Sequence, residues 1–145
     1  MRFVQDKETF LRLFGYYCYE LGLQDSFLFD SLNEKGEFNP PFSMEEFMNN
    51  NTLDIIVDDT KAIGFVGYNI KEGVLTMDEF FIMKPFMNPE RVREVLDHVF
   101  EGKTGKFVTH LPKSSTLLIE EIEKRFPTIK KEEMDAFAWI FETEI

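Results

Sequence analysis

The sequence predicts a single α/β domain of the α+β type, in which a mixed β-sheet of about six to seven strands is flanked by about four helices. Strand-like and helix-like segments follow one another in the order β-α-α-β-β-β-α-β-α-β-β. Some strands are joined directly and others through a helix, which is typical of a sheet that contains both parallel and antiparallel pairs. The length of 145 residues suits one domain over residues 1–145.

The N-terminal third predicts a strand, a helix and an irregular aromatic segment. Residues 1–5 have strand character, and Asp6 is placed to cap a helix that ends near Gly22. Residues 23–42 show no regular pattern, although four Phe occur there. These are Phe27, Phe29, Phe38 and Phe42.

The remaining elements have clear start and stop signals. Ser43 and Glu46 form a capping box, which predicts a short helix from Met44 to Asn50. Asn88 followed by Pro89 predicts the start of a second helix, and Ser114 or Ser115 the start of a third. Strands are predicted over residues 53–57, 62–70, 74–83, 106–111, 128–134 and 136–144.

The composition indicates a folded chain and excludes several partners. Seventeen Phe, four Tyr and one Trp supply apolar surface for a core. Core positions on predicted helices and strands include Phe10, Phe14, Phe65, Phe100, Phe107 and Phe137. The net charge of -11 argues against nucleic acid as a partner, because phosphate binding needs a basic surface. No apolar run approaches the ~20 residues of a membrane span, and no signal-peptide pattern is present. We therefore expect a cytoplasmic protein without a membrane partner.

The cysteine and the histidines predict no metal or thiol site. Cys18 lies in an apolar stripe, which favours a buried, inert thiol, and a single cysteine excludes an intrachain disulfide. His98 and His110 lie on different elements without partners at ligand spacing, so no metal is expected. His98 is predicted to be solvated. His110 ends a strand before a loop, where it is either a site residue or a surface residue.

Two adjacent carboxylates, Asp78 and Glu79, lie inside an apolar strand. Alternation predicts one on each face of the sheet. A buried carboxylate has a raised pKa and can serve as a general base, which makes Glu79 the candidate catalytic residue. In the simpler interpretation, one carboxylate points to solvent and the other pairs with a cation.

The segment from Phe80 to Phe100 resembles the GNAT superfamily, the GCN5-related N-acetyltransferases. Met83-Lys84-Pro85 matches the apolar-x-Pro end of a strand in that family, and Val92, Leu96 and Phe100 match apolar positions of the following helix. The resemblance covers the whole chain in the order of its elements, but little of it in residue identity. It implies a GNAT fold and an acetyl-CoA site. The cofactor-binding residues that it implies are Phe81 and Met83, through their backbone groups, and Arg91, Val92 and Arg93 in the phosphate region.

The cofactor loop departs from the family pattern. Its glycine positions hold Pro89, Arg91 and Arg93, so backbone N–H groups cannot approach a pyrophosphate in the family's way. Asn88 is expected to cap the helix itself and fill the anion site. Glu121 stands where the family carries a Tyr that acts as general acid.

Two hypotheses follow from the sequence. The first is a divergent acyl-CoA-dependent N-acetyltransferase that acts on an amine, such as a cationic small molecule or peptide. The second is a catalytically silent binding or regulatory module that kept the fold and does not use acetyl-CoA. A third hypothesis is an acidic protein that mimics nucleic acid, but the acidic residues are not clustered, which argues against it. A monomer and a homodimer are both compatible with the sequence.

Overall fold

The computed structural model describes residues 1–24 and 44–145, with backbone only at 18–24 and 44. The predictions for Cys18, Ser43 and the Phe-rich segment 23–42 therefore lie largely or wholly outside the described residues. None of the described helices is long and apolar enough to cross a membrane.

The described residues form seven strands and four α-helices in the predicted order. Their bounds are β1 Arg2–Val4, α1 Lys7–Gln24, α2 Met44–Asn50, β2 Thr52–Asp58, β3 Lys61–Lys71, β4 Val74–Ile82, α3 Pro89–Phe100, β5 Lys106–Pro112, α4 Thr116–Arg125, β6 Lys130–Glu133 and β7 Ala138–Glu144. A 3-10 turn, Lys84–Phe86, joins β4 to α3.

The strands form one mixed sheet in the order β1-β2-β3-β4-β5-β7-β6. Five of the six neighbouring pairs are antiparallel, and β4 with β5 is the parallel pair. The fold class and the mixed sheet predicted from the sequence are thus confirmed.

Side-chain caps explain two helix starts, a third helix starts after Ser115 as predicted, and the predicted end of the first helix is wrong. Asp6 accepts the N–H of Thr9 at 3.1 Å, and Asn88 accepts the N–H of Arg91 at 2.8 Å. Ser115 occupies the N-cap of α4, but its hydroxyl makes no capping bond. The first helix continues past Gly22 to Gln24, because a single glycine lowers helix propensity without forcing an end.

Each face of the sheet carries its own core. Helices α3 and α4 pack on one face, where Val95, Leu96 and Ile122 are fully buried. Helix α1 covers the other face, where Phe10 meets Phe65 edge to face with ring centroids 5.1 Å apart. We call these the α3 face and the α1 face. Of the Phe residues predicted to be core, Phe137 is the exception. It is 47% exposed, because it precedes β7 in the turn from β6.

Strands β4 and β5 separate after a short parallel ladder. Their register runs only from Val74 opposite Lys106 to Thr76 opposite Val108. A β-bulge at Asp78 shifts the pairing of β4 with β3 just beyond this point. Bulges bend a strand and change its twist, so the C-terminal half of β4 leaves β5 and a gap opens between the two strands.

Gly64 of β3 lies directly against the backbone of β4. A Cβ atom at this position would lie 1.9 Å from the carbonyl oxygen of Phe81 and 2.8 Å from the Cα of Ile82. We expect Gly64→Ala to lower the free energy of unfolding by about 1–3 kcal/mol, because the β4 backbone must move.

The exposed Gly15 provides the matched control. No atom lies within 4 Å of a Cβ there, and Ala is preferred to Gly in a helix by about 1 kcal/mol. Urea unfolding should therefore show opposite signs for Gly64→Ala and Gly15→Ala. Equal effects of the two substitutions would contradict the close approach.

Candidate active site

The backbone of β4 turns some of its polar groups into the gap. The N–H of Met83 donates to the carbonyl of Ile63 at 2.7 Å, so this group faces β3. Because hydrogen-bonding groups alternate along a strand, Phe81 also faces β3, whereas Phe80 and Ile82 face the gap. The binding roles predicted for Phe81 and Met83 remain predictions, and the geometry offers the neighbouring backbone groups instead.

Glu79 lies on the α1 face at the start of the gap. Its Cβ and Cγ lie beside Gly67 of β3, and its carboxylate is hydrogen-bonded with Tyr17 of α1. Loss of hydration and, to a smaller extent, the charge of Asp78 raise its pKa to about 7, against the lowering effect of Tyr17. A carboxyl group with this pKa exchanges protons near neutral pH, as a general base must.

Asp78 connects the two separated strands. One of its carboxylate oxygens, Oδ1, accepts the backbone N–H of His110 at 3.1 Å and lies 2.8 Å from Nδ1 of the His110 ring. Thr109, beside His110, donates its hydroxyl to the carbonyl of Met77. The prediction that Asp78 and Glu79 point to opposite faces is therefore wrong, because the bulge interrupts the alternation of β4.

The start of α3 satisfies its own polar groups. Pro89 has no N–H, the N–H of Arg91 is bonded to the side chain of Asn88, and that of Val92 reaches the Asn88 carbonyl at 3.1 Å. These bonds leave Glu90 as the remaining first-turn amide, on a residue that is itself acidic. The expectation that Asn88 caps the helix is confirmed.

Both arginines of α3 are paired with carboxylates. Arg91 donates to Asp58 of β2 at 2.6 and 2.9 Å and to the carbonyl of Phe86 at 3.0 Å. Arg93 lies 3.5 Å from Glu121 of α4, whose side chain is only 2% exposed. The Arg93 side chain itself is 52% exposed, so it can reach a ligand from solvent more easily than Arg91.

A second carboxylate of β2 holds the other end of α3. Asp54 is 6% exposed and lies 2.8 Å from Nε2 of His98, and it accepts the hydroxyl of Tyr68 at 2.7 Å. The His98 ring stacks on Phe3 with centroids 3.7 Å apart. Burial and the neighbouring Asp54 carboxylate raise the pKa of Tyr68. The prediction that His98 is solvated is wrong.

The predicted site residues divide into three groups. Glu79 lies beside the gap, and Arg91 and Arg93 lie at the start of α3. The side chains of Phe81 and Val92 are buried in the two cores, and Met83 is partly buried against the core that contains Phe81. Sequence reasoning missed Tyr17 and Asp58. Tyr17 follows Phe14 at helical spacing and resembles a core position, and nothing local to Asp58 indicates a partner 33 residues away.

Comparison with known proteins identifies the fold through solved structures alone. No family model matches the sequence, and no curated protein matches it. Solved structures do match, at low sequence identity.

Three of these structures are acetyltransferases by description. A GNAT-family protein from Bacteroides thetaiotaomicron has a TM-score of 0.57 and 15% identity over 98% of this chain and 86% of that chain. An N-acetyltransferase from Campylobacter jejuni, in complex with acetyl coenzyme A, has a TM-score of 0.57 and 11% identity over 99% and 97%. The ribosomal-protein-S18-alanine N-acetyltransferase from Escherichia coli has a TM-score of 0.56 and 14% identity over 73% and 79%. The chain therefore has the fold of the GNAT superfamily.

Proposed function

We propose that the protein is a divergent acyl-CoA-dependent N-acetyltransferase that acts on an amine. The observation that carries this proposal is Glu79, a half-buried carboxyl group on the α1 face with a pKa raised to about 7. It stands where β4 leaves β5, next to backbone groups that face the gap. A base with this pKa can accept a proton from an amine at neutral pH.

The proposed cofactor is acetyl-CoA, bound by a route other than the family's glycine-rich loop. When bound, the cofactor supplies the activated acyl group. The gap-facing backbone groups of Phe80 and Ile82 suit the amides of its pantetheine arm. The self-capped start of α3 offers no cradle of N–H groups, so Arg91 and Arg93 would hold the phosphates through their guanidinium groups.

The acceptor is proposed to be a cationic amine, either a small molecule or a peptide. Asp78 and Glu79 place two carboxylates near the gap, and the whole chain carries a net charge of -11. Negative charge around a site attracts cationic ligands and speeds their association.

Cofactor binding is the first test of this proposal. CoA at 100 times its dissociation constant should stabilise the fold by ~2.7 kcal/mol, which a thermal unfolding assay would detect. Removing both phosphate-binding cations with Arg91→Ala and Arg93→Ala should weaken CoA about tenfold or more, because each guanidinium makes a charge-assisted contact. Calorimetric titration with CoA would measure the weakening directly.

Matched variants separate this effect from loss of charge in general. Arg12→Ala removes an exposed arginine from α1 and should leave CoA binding unchanged. Asp58→Asn releases Arg91 from its ion pair and should tighten CoA. If Asp58→Asn left the affinity unchanged, Arg91 would have no part in phosphate binding.

A second candidate function is a silent binding or regulatory module. The observation that favours it is the start of α3, where Asn88 and Pro89 occupy or remove the donors that an anion would need. This function predicts no stabilisation by millimolar CoA or acetyl-CoA. That result would overturn the acetyltransferase proposal.

A further inference from the structure

The pair formed by Asp78 and His110 bridges β4 and β5 where their backbone ladder has ended. A carboxylate can only accept hydrogen bonds, so the His110 nitrogen that lies 2.8 Å from Asp78, Nδ1, must be the one that carries the proton. In the neutral ring, Nε2 then has a free lone pair. Asp78 therefore holds His110 in the tautomer in which Nε2 is the basic nitrogen.

His110 lies on the same face as Glu79. Phe107 and Leu111 of β5 belong to the core on the α3 face, and alternation turns His110 to the opposite, α1 face. Phe81 marks the α1 face on β4, and Glu79 precedes it by two residues. The His110 side chain is 35% exposed, so a solute can reach it.

We propose that His110, oriented by Asp78, is a second base of the site and prepares the acceptor for attack. This inference rests on the proposed transferase function. A primary amine is largely an ammonium ion at neutral pH and has no lone pair until it loses a proton. That N–H bond breaks, its electron pair stays on the amine nitrogen, and the proton binds Nε2 of His110. The imidazolium lies beside the Asp78 carboxylate and passes the proton to solvent. Glu79 remains free to accept the proton that leaves when the amide bond forms.

Three other carboxylates on this face have partners of their own. Glu79 of β4 is hydrogen-bonded with Tyr17 of α1. Pairing across the sheet places Glu142 of β7 on the same face, where it lies 2.7 Å from Lys106 of β5. Glu132 of β6 faces the same way and pairs with Lys130 at 3.3 Å. Asp78 is thus the carboxylate that directly contacts His110 among the described residues.

The decisive variant is His110→Asn. The Asn side-chain nitrogen can replace Nδ1 as the donor to Asp78, but it cannot accept a proton. The substitution therefore keeps the hydrogen bond between β4 and β5 and removes the base. At pH 7 we expect kcat/KM for an ammonium acceptor to fall about 10²-fold. The deficit should shrink toward pH 9, where more of the acceptor is already neutral.

A tautomer measurement tests the dyad without any turnover. Two-dimensional ¹⁵N NMR of the full chain should show Nδ1 protonated and Nε2 unprotonated in neutral His110. Asp78→Asn should remove this preference, because its amide can donate as well as accept. Glu142→Gln, which removes a carboxylate elsewhere on the face, should change neither the tautomer nor the pH profile.

The outcomes distinguish the inference from the function on which it rests. Suppose that the wild type transfers acyl groups. If His110→Asn then has the same kcat/KM at every pH, or a kcat/KM that is lower by the same factor at every pH, His110 only connects the two strands, and the inference fails while the proposed function stands. If the wild type acylates none of a panel of primary amines, the function and the base role both fail. A protonated Nε2 in the neutral ring would overturn the inference in either case.

Discussion

Replacing Glu79 with Gln is expected to lower kcat/KM for amine acylation by about 10²–10⁴-fold. Gln keeps the size and polarity of the side chain but cannot accept a proton. On the acid side of its pH profile, wild-type kcat/KM should show an ionisation near pH 7, because burial raises the pKa of Glu79 to about 7. That ionisation should be absent from Glu79→Gln.

The same substitution should make the fold more stable at alkaline pH. The pKa of Glu79 is raised from 4.5 to about 7 in the folded chain, so folding favours the protonated form. The stability that this group provides is present below pH 4.5 and is lost as the pH rises through 7. At pH 8, Glu79→Gln removes a desolvated charge and should raise the unfolding temperature, whereas near pH 4 it should have little effect.

Three measurements separate these effects. Release of the CoA thiol across pH 5–9 would report the rate, ¹³C NMR of the carboxyl group would report its titration, and thermal unfolding at pH 4 and pH 8 would report stability. Glu120→Gln, on the exposed side of α4, is the matched control for loss of one carboxylate. A Glu79 titration near pH 4.5 or an unchanged rate would remove Glu79 as the base.

Asp54→Ala is expected to cost about 3 kcal/mol or more of unfolding free energy, because three polar groups lose the carboxylate to which they are hydrogen-bonded. Asp54 accepts from Tyr68 at 2.7 Å and from Gln5 at 3.3 Å, and it lies 2.8 Å from His98. Substitution leaves these polar groups in a half-buried site without their acceptor, and it frees the C-terminal part of α3 from β2.

Urea unfolding at pH 7 would measure this cost. Asp97→Ala is the matched control, because Asp97 precedes His98 on the same helix and pairs with Arg125 at 2.7 Å with 66% of its side chain exposed. Exposed pairs contribute about 0–1 kcal/mol. Asp54→Asn keeps an acceptor oxygen, so its cost in unfolding free energy should lie between those of Asp54→Ala and Asp97→Ala. Equal costs for Asp54→Ala and Asp97→Ala would contradict a cooperative network.

Local sequence signals predicted the elements well, because their causes are local. The cap at Asn88, the proline that follows it and the apolar spacing of α3 all act within a few residues, and the structure contains each of them. The order of strands and helices follows from the same kind of signal, and this order was enough to predict the fold class.

The site was less predictable because its contacts are long-range. Arg91 and Asp58 are 33 residues apart, and His98 and Asp54 are 44 apart. Glu94, Asp97 and Glu101 around His98 make that side of α3 look solvated, whereas Phe3 covers the His98 ring from β1. The bulge at Asp78 arises in the pairing of β4 with β3, and no pattern within β4 marks it.

The two edge strands of the described sheet bear on self-association. β6 consists of two Lys followed by two Glu, all of them exposed, and β1 at the other edge has only three residues. A charged edge and a very short edge are both poor templates for a further strand. Two copies of this chain are therefore not expected to associate by pairing their edge strands, even at high concentration. A homodimer is expected to form through helices or loops.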